Sequence, residues 1–243
     1  TITGGQGSDH LFGGSGDDIL IDSDDAFLEG GAGNDVYYVG GAIVIEAADG
    51  GIDTVHSLTQ YYTLGDNVEN LIVESVNHQV EGNDLANVIT IVAAPATEGP
   101  STVNGFGGDD TLIGNAGANS LDGDDGNDRL YGGDGADTLQ GNAGDDLLDG
   151  GRGDDGLIGS LGVDTVVMSL NGGADAMWDF EVGTDKIDVS AFGSYQGVVQ
   201  TTDGAQLGPI EQLTQRHRRA QVVHRALDGD QLAGRQQRAV DAD

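Results

Sequence analysis

The sequence predicts an all-β fold, a solenoid in which short strands and glycine loops alternate and successive turns stack. Two observations carry this. From Gly105 to Val167 the chain falls into seven consecutive nonapeptides: GFGGDDTLI, GNAGANSLD, GDDGNDRLY, GGDGADTLQ, GNAGDDLLD, GGRGDDGLI and GSLGVDTVV. Within each, position 1 is Gly and position 6 is Asp, or Asn119 once, while position 8 is one large aliphatic: Leu112, Leu121, Leu130, Leu139, Leu148, Leu157 or Val166. A period held in phase over that length is the mark of a stacked-repeat architecture.

Each position has a physical reading. Glycines at positions 1, 2 and 4 permit positive φ and close backbone approach, so positions 1–6 read as a tight loop. Positions 7–9 read as a short strand whose alternation turns only position 8 inward. One inward side chain per repeat cannot build a core by itself, but stacked turns align such side chains into a continuous apolar row. Three further copies stand near the start: GGQGSDHLF from Gly4, GGSGDDILI from Gly13 and GGAGNDVYY from Gly30.

Composition narrows the function. The 243 residues include 42 acidic and 9 basic ones, for a formal charge of −33. Such a balance with few aromatics suggests disorder when taken alone, and the in-phase repeat outweighs it. The charge argues against nucleic acid or an anionic membrane as a partner, since both demand Lys and Arg. The chain has no cysteine, hence no disulfide and no Cys-ligated zinc. No apolar run is long enough to span a bilayer, so no membrane insertion is expected. Opening at Thr1 without a signal-peptide pattern, the sequence reads as a piece of something longer.

The pattern GGxGxDxUx, with U a large aliphatic, resembles the repeats-in-toxin (RTX, hemolysin-type) calcium-binding repeats, closely over residues 4–38 and 105–192 and more loosely between. The resemblance implies a parallel β-roll, or β-helix solenoid, with two nonapeptides per 18-residue turn. It implies calcium between loops of successive turns, held by position-6 side chains and loop carbonyls. The candidate ligands are then Asp9, Asp18, Asp35, Asp110, Asn119, Asp128, Asp137, Asp146, Asp155 and Asp164. It further implies a secreted, extracellular bacterial protein exported by type I secretion machinery.

With 18-residue turns, Asp110, Asp128, Asp146 and Asp164 stack in one ladder and Asn119, Asp137 and Asp155 in another. Carboxylates one strand spacing apart, about 4.8 Å, repel by about 1 kcal/mol in water and about 3–4 kcal/mol at an effective dielectric near 20. A hard divalent cation reverses that sign. Carboxylate and carbonyl oxygens in a flexible loop suit calcium better than magnesium. One ion per gap gives about five sites in the main block, the weakest beside the neutral amide of Asn119. Asp18 and Asp35 stand one residue short of a turn, which predicts a distorted site. Asp9 has to pair with the degenerate stretch DSDDAFLE.

The expected organisation is N-terminal repeats over 1–38, a calcium-free solenoid spacer over 39–104, the main roll over 105–167, a capping segment over 168–207 and a basic tail over 208–243. In the spacer, VYYVGGAIVIE, DTVHSLTQYY, ENLIVES and NVITIV read as strands, and AAPATEGPS as a loop or break. DTVHSLTQYYTLGDNVENLIVE resembles a spacer of bacterial RTX-type proteins, and MWDFEVGTDKIDVSAF the segment closing the roll of serralysin-like secreted proteins. Trp178, Phe180, Ile187, Val189 and Phe192 offer bulk for a cap. Asp185 and Asp188 serve that cap or a last ion. The tail holds six of the nine basic residues among many Gln. It reads either as a frameshifted or unrelated end, favoured by the abrupt switch, or as a helix folding back on the acidic roll.

The five His are scattered without HExxH spacing, and no Ser sits in GxSxG. GRGDDG satisfies GxGxxG, but its two Asp repel phosphate, and the acidic loops lack EF-hand spacing. The expectation is a non-enzymatic calcium-binding module that folds on binding calcium. The alternatives are a C-terminal secretion or stability module of a secreted protease, lipase or polysaccharide-modifying enzyme, or an adhesin segment.

Overall fold

The computed structural model describes residues 1–74, 79–92, 100–169, 172–181, 183–188 and 190–192, together with residues 200–201 and 220–221. Among them the chain winds as a parallel β-solenoid. One face is an eleven-stranded sheet running from Ile2–Thr3 to Lys186–Asp188, every neighbour parallel. The other face is two sheets. His10–Ser15, Phe27–Ala32 and Ile43–Ile45 make the first, and seven strands from Tyr61–Thr63 to Ala176–Met177 make the second.

The register gives the turn. In the main block Arg129 pairs with Leu147 and Thr138 with Gly156, so two nonapeptides close one circuit. Turn length varies elsewhere: Ile19 pairs with Val36, Phe27 with Ile43, Val88 with Thr111 and Thr165 with Lys186. The described residues between 39 and 104 continue the stack, with strands at Thr54–Ser57, Asn70–Val73 and Val88–Ile91 on the long face. The expected loop at AAPATEGPS falls largely on residues 93–99, outside the described residues. The strands around it stay paired, Gln79–Glu81 with Ser101–Asn104, so the stack runs past it. The interruption lies earlier, between Ile43–Ile45 and Tyr61–Thr63 on the divided face.

Position 8 is the core throughout. Leu112, Leu130, Leu148 and Val166 from the long face meet Leu121, Leu139 and Leu157 from the other, all buried. The three-residue strands expected at positions 7–9 are too short for most of the block. Strands such as Arg129–Asp134 and Leu147–Arg152 extend through positions 1–3 of the next repeat, leaving positions 4–6 as the corner. Gly133 and Gly151 pair directly, so two of the supposed loop glycines lie in the sheet. At position 4 a left-handed backbone does make the corner, as at Gly135 and Gly153, with φ of 134° and 139°.

The cap departs from expectation at Trp178, which is 61 % exposed. Ala176–Met177 pairs with Gly156 and Leu157, and alternation then turns Met177 inward and its neighbour Trp178 outward. Met168, Met177 and Phe180 close the core, with Ile187 packed against it. Val189 and the side chain of Phe192 lie outside the described residues. So does the tail except for Ala220–Gln221, which pairs antiparallel with Gln200–Thr201.

Candidate metal centre

Position 6 stands at the corner of the turn, immediately before its strand or, at Asn119, as the strand's first residue. Its side chain points inward by the same alternation that buries position 8, which takes a charge out of water. Asp35, Asp110, Asn119, Asp128, Asp137, Asp146, Asp155 and Asp164 are all buried. One carboxylate oxygen is satisfied in a repeating way. The backbone N–H of Asp110 donates to Asp128 Oδ1 at 2.8 Å, that of Asp128 to Asp146 at 2.8 Å and that of Asp146 to Asp164 at 3.0 Å. On the other edge Asn119 donates to Asp137 at 2.7 Å and Asp137 to Asp155 at 2.9 Å. Both stacks fall where the 18-residue turn places them.

The second oxygen is the unusual one. Oδ2 of Asp22, Asp35, Asp53, Asp110, Asp128, Asp137, Asp146 and Asp155 is buried without a hydrogen-bond donor. Natural structures leave few buried polar atoms unpaired, because each costs about 1–3 kcal/mol. This row of orphaned oxygens faces the position-1 glycines: a Cβ on Gly105 would collide with Asp110 Oδ2, and one on Gly141 with Asp146 Oδ2. Burial is the main cause that pushes Asp110 and Asp146 up to about 7 and Asp137 to about 6, with neighbouring carboxylates adding to it. Burial also raises Asp128, Asp155 and Asp164. A hard cation meets all of these demands, since it supplies the missing partner to the oxygen and cancels the charge.

The ladders are longer than the nonapeptides. Asp155 N–H donates to Asp175 Oδ1 at 3.2 Å and Asp164 N–H to Asp185 Oδ1 at 3.2 Å. Asp175 is buried and, chiefly through burial, raised to about 7. Near the start, Asp18 N–H donates to Asp35 Oδ1 and Asp35 N–H to Asp53 Oδ1, both at 2.7 Å. The 17-residue step therefore keeps the ladder contact. Glu69 and Asn87 complete one edge: Asp53 N–H donates to Glu69 Oε2 at 2.8 Å and Asn87 N–H to Asp110 Oδ1 at 2.7 Å.

Asp9 is placed differently. The rung below it is held by Ala26, with Phe27 N–H donating to the Asp9 carbonyl, so no carboxylate stacks there. Within DSDDAFLE it is Asp22 that comes near, since a Cβ on Gly4 would meet both Asp22 Oδ2 and Asp9 Oδ2. Asp188, by contrast, is exposed to hydrogen bonding with its own loop, accepting from Ser190 N–H at 2.8 Å.

Asp53 and Asp175 were missed by the nine-residue search. Their signal was present in GGIDTV and GGADAM, which keep the Gly–x–Asp–x–aliphatic end of the repeat. Asp53 keeps the phase, 18 residues after Asp35, but the nonapeptides from Val39 and Ala48 lack the first-position glycine, while Asp175 lies 20 residues after Asp155, outside a strict period.

Fold and site together define a repeat solenoid whose corners are lined by buried carboxylates. The RTX calcium-binding nonapeptide repeat matches the chain in four copies, at residues 1–21, 23–42, 104–139 and 131–166. The chain carries RTX calcium-binding nonapeptide repeats, stacked as a β-solenoid. Among curated proteins none matches it.

Proposed function

We propose that the chain is a calcium-folded module of a secreted bacterial protein, exported unfolded through type I secretion machinery and condensed outside the cell. The single observation that carries this is the row of buried, donorless Asp oxygens. In that reading the position-6 side chains of the repeats hold calcium together with loop carbonyls. Asp175 and Asp185 extend the set by one rung on each edge, and Asp9, paired with Asp22 in place of a stacked neighbour, forms the least regular site.

Folding energetics give the module its switch. Without a cation, forming the solenoid buries carboxylates that repel one another, against a domain stability of only about 5–15 kcal/mol. Where free calcium is scarce the chain stays extended. At extracellular calcium, with module affinities of about 10⁻⁴–10⁻³ M, binding free energy becomes folding free energy. The act is folding, and what it stabilises is whatever the module is joined to.

Far-ultraviolet circular dichroism of the full chain in EDTA and in about 10 mM calcium, on the order of ten times the weaker affinity limit, tests this. A transition from unfolded to β spectrum is expected. Identical spectra overturn the proposal.

A further inference from the structure

We propose that Asp35, Glu46 and Asp53 form a separate, side-chain metal site for a calcium-sized hard cation, with the Tyr37 phenol beside it. The ligand oxygens of the three carboxylates lie within 4.8 Å of one another, and all three residues are buried. Two of these residues, Glu46 and Asp53, lie in the segment expected to be free of calcium.

The origin of Glu46 can be read from the register. Leu28 pairs with Val44 and Glu29 with Ile45, so Glu46 stands one rung from Gly30, at the position that is glycine in every repeat. That position faces the position-6 carboxylate, and a side chain there points inside the solenoid. Glu46 can occupy it because its sheet ends here: Ile43–Ile45 is the last strand of the three, and the face resumes only at Tyr61–Thr63. The result is a third carboxylate delivered to a rung that already holds Asp35 and Asp53.

Independent observations point to a ligand. Asp35 Oδ2 and Asp53 Oδ2 are buried and have no hydrogen-bond donor. Asp35 Oδ2 is also aimed inward: a Cβ on Gly30 would meet it together with Glu46 Oε1 and the Tyr37 hydroxyl. The other four of the six oxygens have donors: Asp18 N–H on Asp35 Oδ1, Asp35 N–H on Asp53 Oδ1, the Tyr37 hydroxyl on Glu46 Oε1 and Ala47 N–H on Glu46 Oε2. Among the described residues no Lys or Arg pairs with any of the three carboxylates. Three buried acids and a phenol, without a basic partner, form an oxygen-only set for a hard cation. Calcium–oxygen bonds of about 2.3–2.6 Å bridge a span of this size more readily than the about 2.0–2.1 Å bonds of magnesium.

The site differs from a repeat loop in drawing its ligands from side chains across the rung, so it can be removed alone. Calcium bound per full-length chain is counted by equilibrium dialysis for the wild type, Glu46→Gln and Glu29→Gln, the last an exposed neighbour on the same face. E46Q is expected to bind one ion fewer, with the calcium-driven change in circular dichroism retained, and E29Q to match the wild type. Equal counts for E46Q and wild type overturn the site, as they would if a shared proton held the carboxylates. Absence of any calcium-driven folding in the wild type defeats the calcium-folding proposal instead, a distinguishable result. Should E46Q fail to fold, Tyr37→Phe is read with terbium(III). A drop in tyrosine-excited terbium emission places the ion beside Tyr37, and unchanged emission overturns it.

Discussion

The side-chain Nδ2 of Asn119 donates to the carbonyl oxygen of Gly117 across 2.5 Å. Longer contacts of 3.3–3.4 Å reach the carbonyls of Gly132 and Asn115. The amide thus places hydrogens against loop carbonyls, as a cation would place charge. Asn87 does the same on the other edge, toward the carbonyls of Val68 and Glu69 at 3.2 and 3.4 Å. At these rungs the fold carries its own partner for the carbonyls.

Replacing that amide with a carboxylate should transfer the rung to metal control. Asn119→Asp is expected to destabilise the calcium-free chain by about 1–3 kcal/mol, the cost of a buried group left without a partner. Calcium should restore the loss. A calcium titration followed by circular dichroism checks this, with a midpoint at higher calcium than the wild type as the expected result.

Acid should act in the same direction as calcium on the empty solenoid. Asp110, Asp146 and Asp175 are raised to about 7 and Asp137 to about 6, burial being the main cause in each. The folded, metal-free chain therefore binds protons more tightly than the unfolded chain, whose carboxyls titrate near 3.9. That contribution to stability is full below about pH 4 and is lost as pH rises through about 7. In EDTA the β content read by circular dichroism should therefore be higher at pH 4.5 than at pH 7.5, and in calcium protons should compete with the ion, weakening its binding at the lower pH. A metal-free β content that rises with pH would contradict this.

The outermost rung should hold an ion despite its lack of a nonapeptide. Asp175→Asn is expected to lower the calcium count by one relative to Asp134→Asn, whose exposed carboxylate only faces Arg152 at 3.8 Å. Mass spectrometry of the calcium-loaded chain under native conditions would separate the two.

Two glycines separate backbone conformation from stacking. Gly16 and Gly153 both have positive φ, 95° and 139°. A Cβ on Gly16 meets nothing within 4 Å, whereas one on Gly153 would strike the carbonyl oxygen of Gly135 in the turn before. Gly16→Ala should cost about 1–2 kcal/mol for the left-handed conformation alone. Gly153→Ala should cost that and about 1–3 kcal/mol more for the collision, read by thermal melts in calcium.

Much of this was legible because the repeat writes core and site in one phase. Position 8 named every central Leu, and position 6 named both ladders of the main block, since a solenoid stacks equivalent positions by construction. Three features escaped. Asp175 follows a turn of 20 residues, where counting by nine lands on the wrong residue, whereas Asp53 keeps the 18-residue step from Asp35 but stands after repeats without a first-position glycine. Glu46 carries no motif; only the strand register reveals that it occupies a glycine's place. Trp178 seemed a cap by its size, yet strand alternation, set by the pairing of Ala176–Met177 with Gly156 and Leu157, turned it to solvent.

The uneven turn length has a consequence for how such a chain can change. Asp18 to Asp35 spans 17 residues, Asp110 to Asp128 spans 18, Asp155 to Asp175 spans 20 and Asp164 to Asp185 spans 21, yet each pair makes the same backbone contact. Pairing fixes where a circuit must return but leaves slack at the corners. Small insertions and deletions can therefore be absorbed locally, one corner at a time, without disturbing distant rungs. Whole circuits can be duplicated or lost as units, and the molecule can grow or shrink lengthwise by simple recombination between its own near-identical segments.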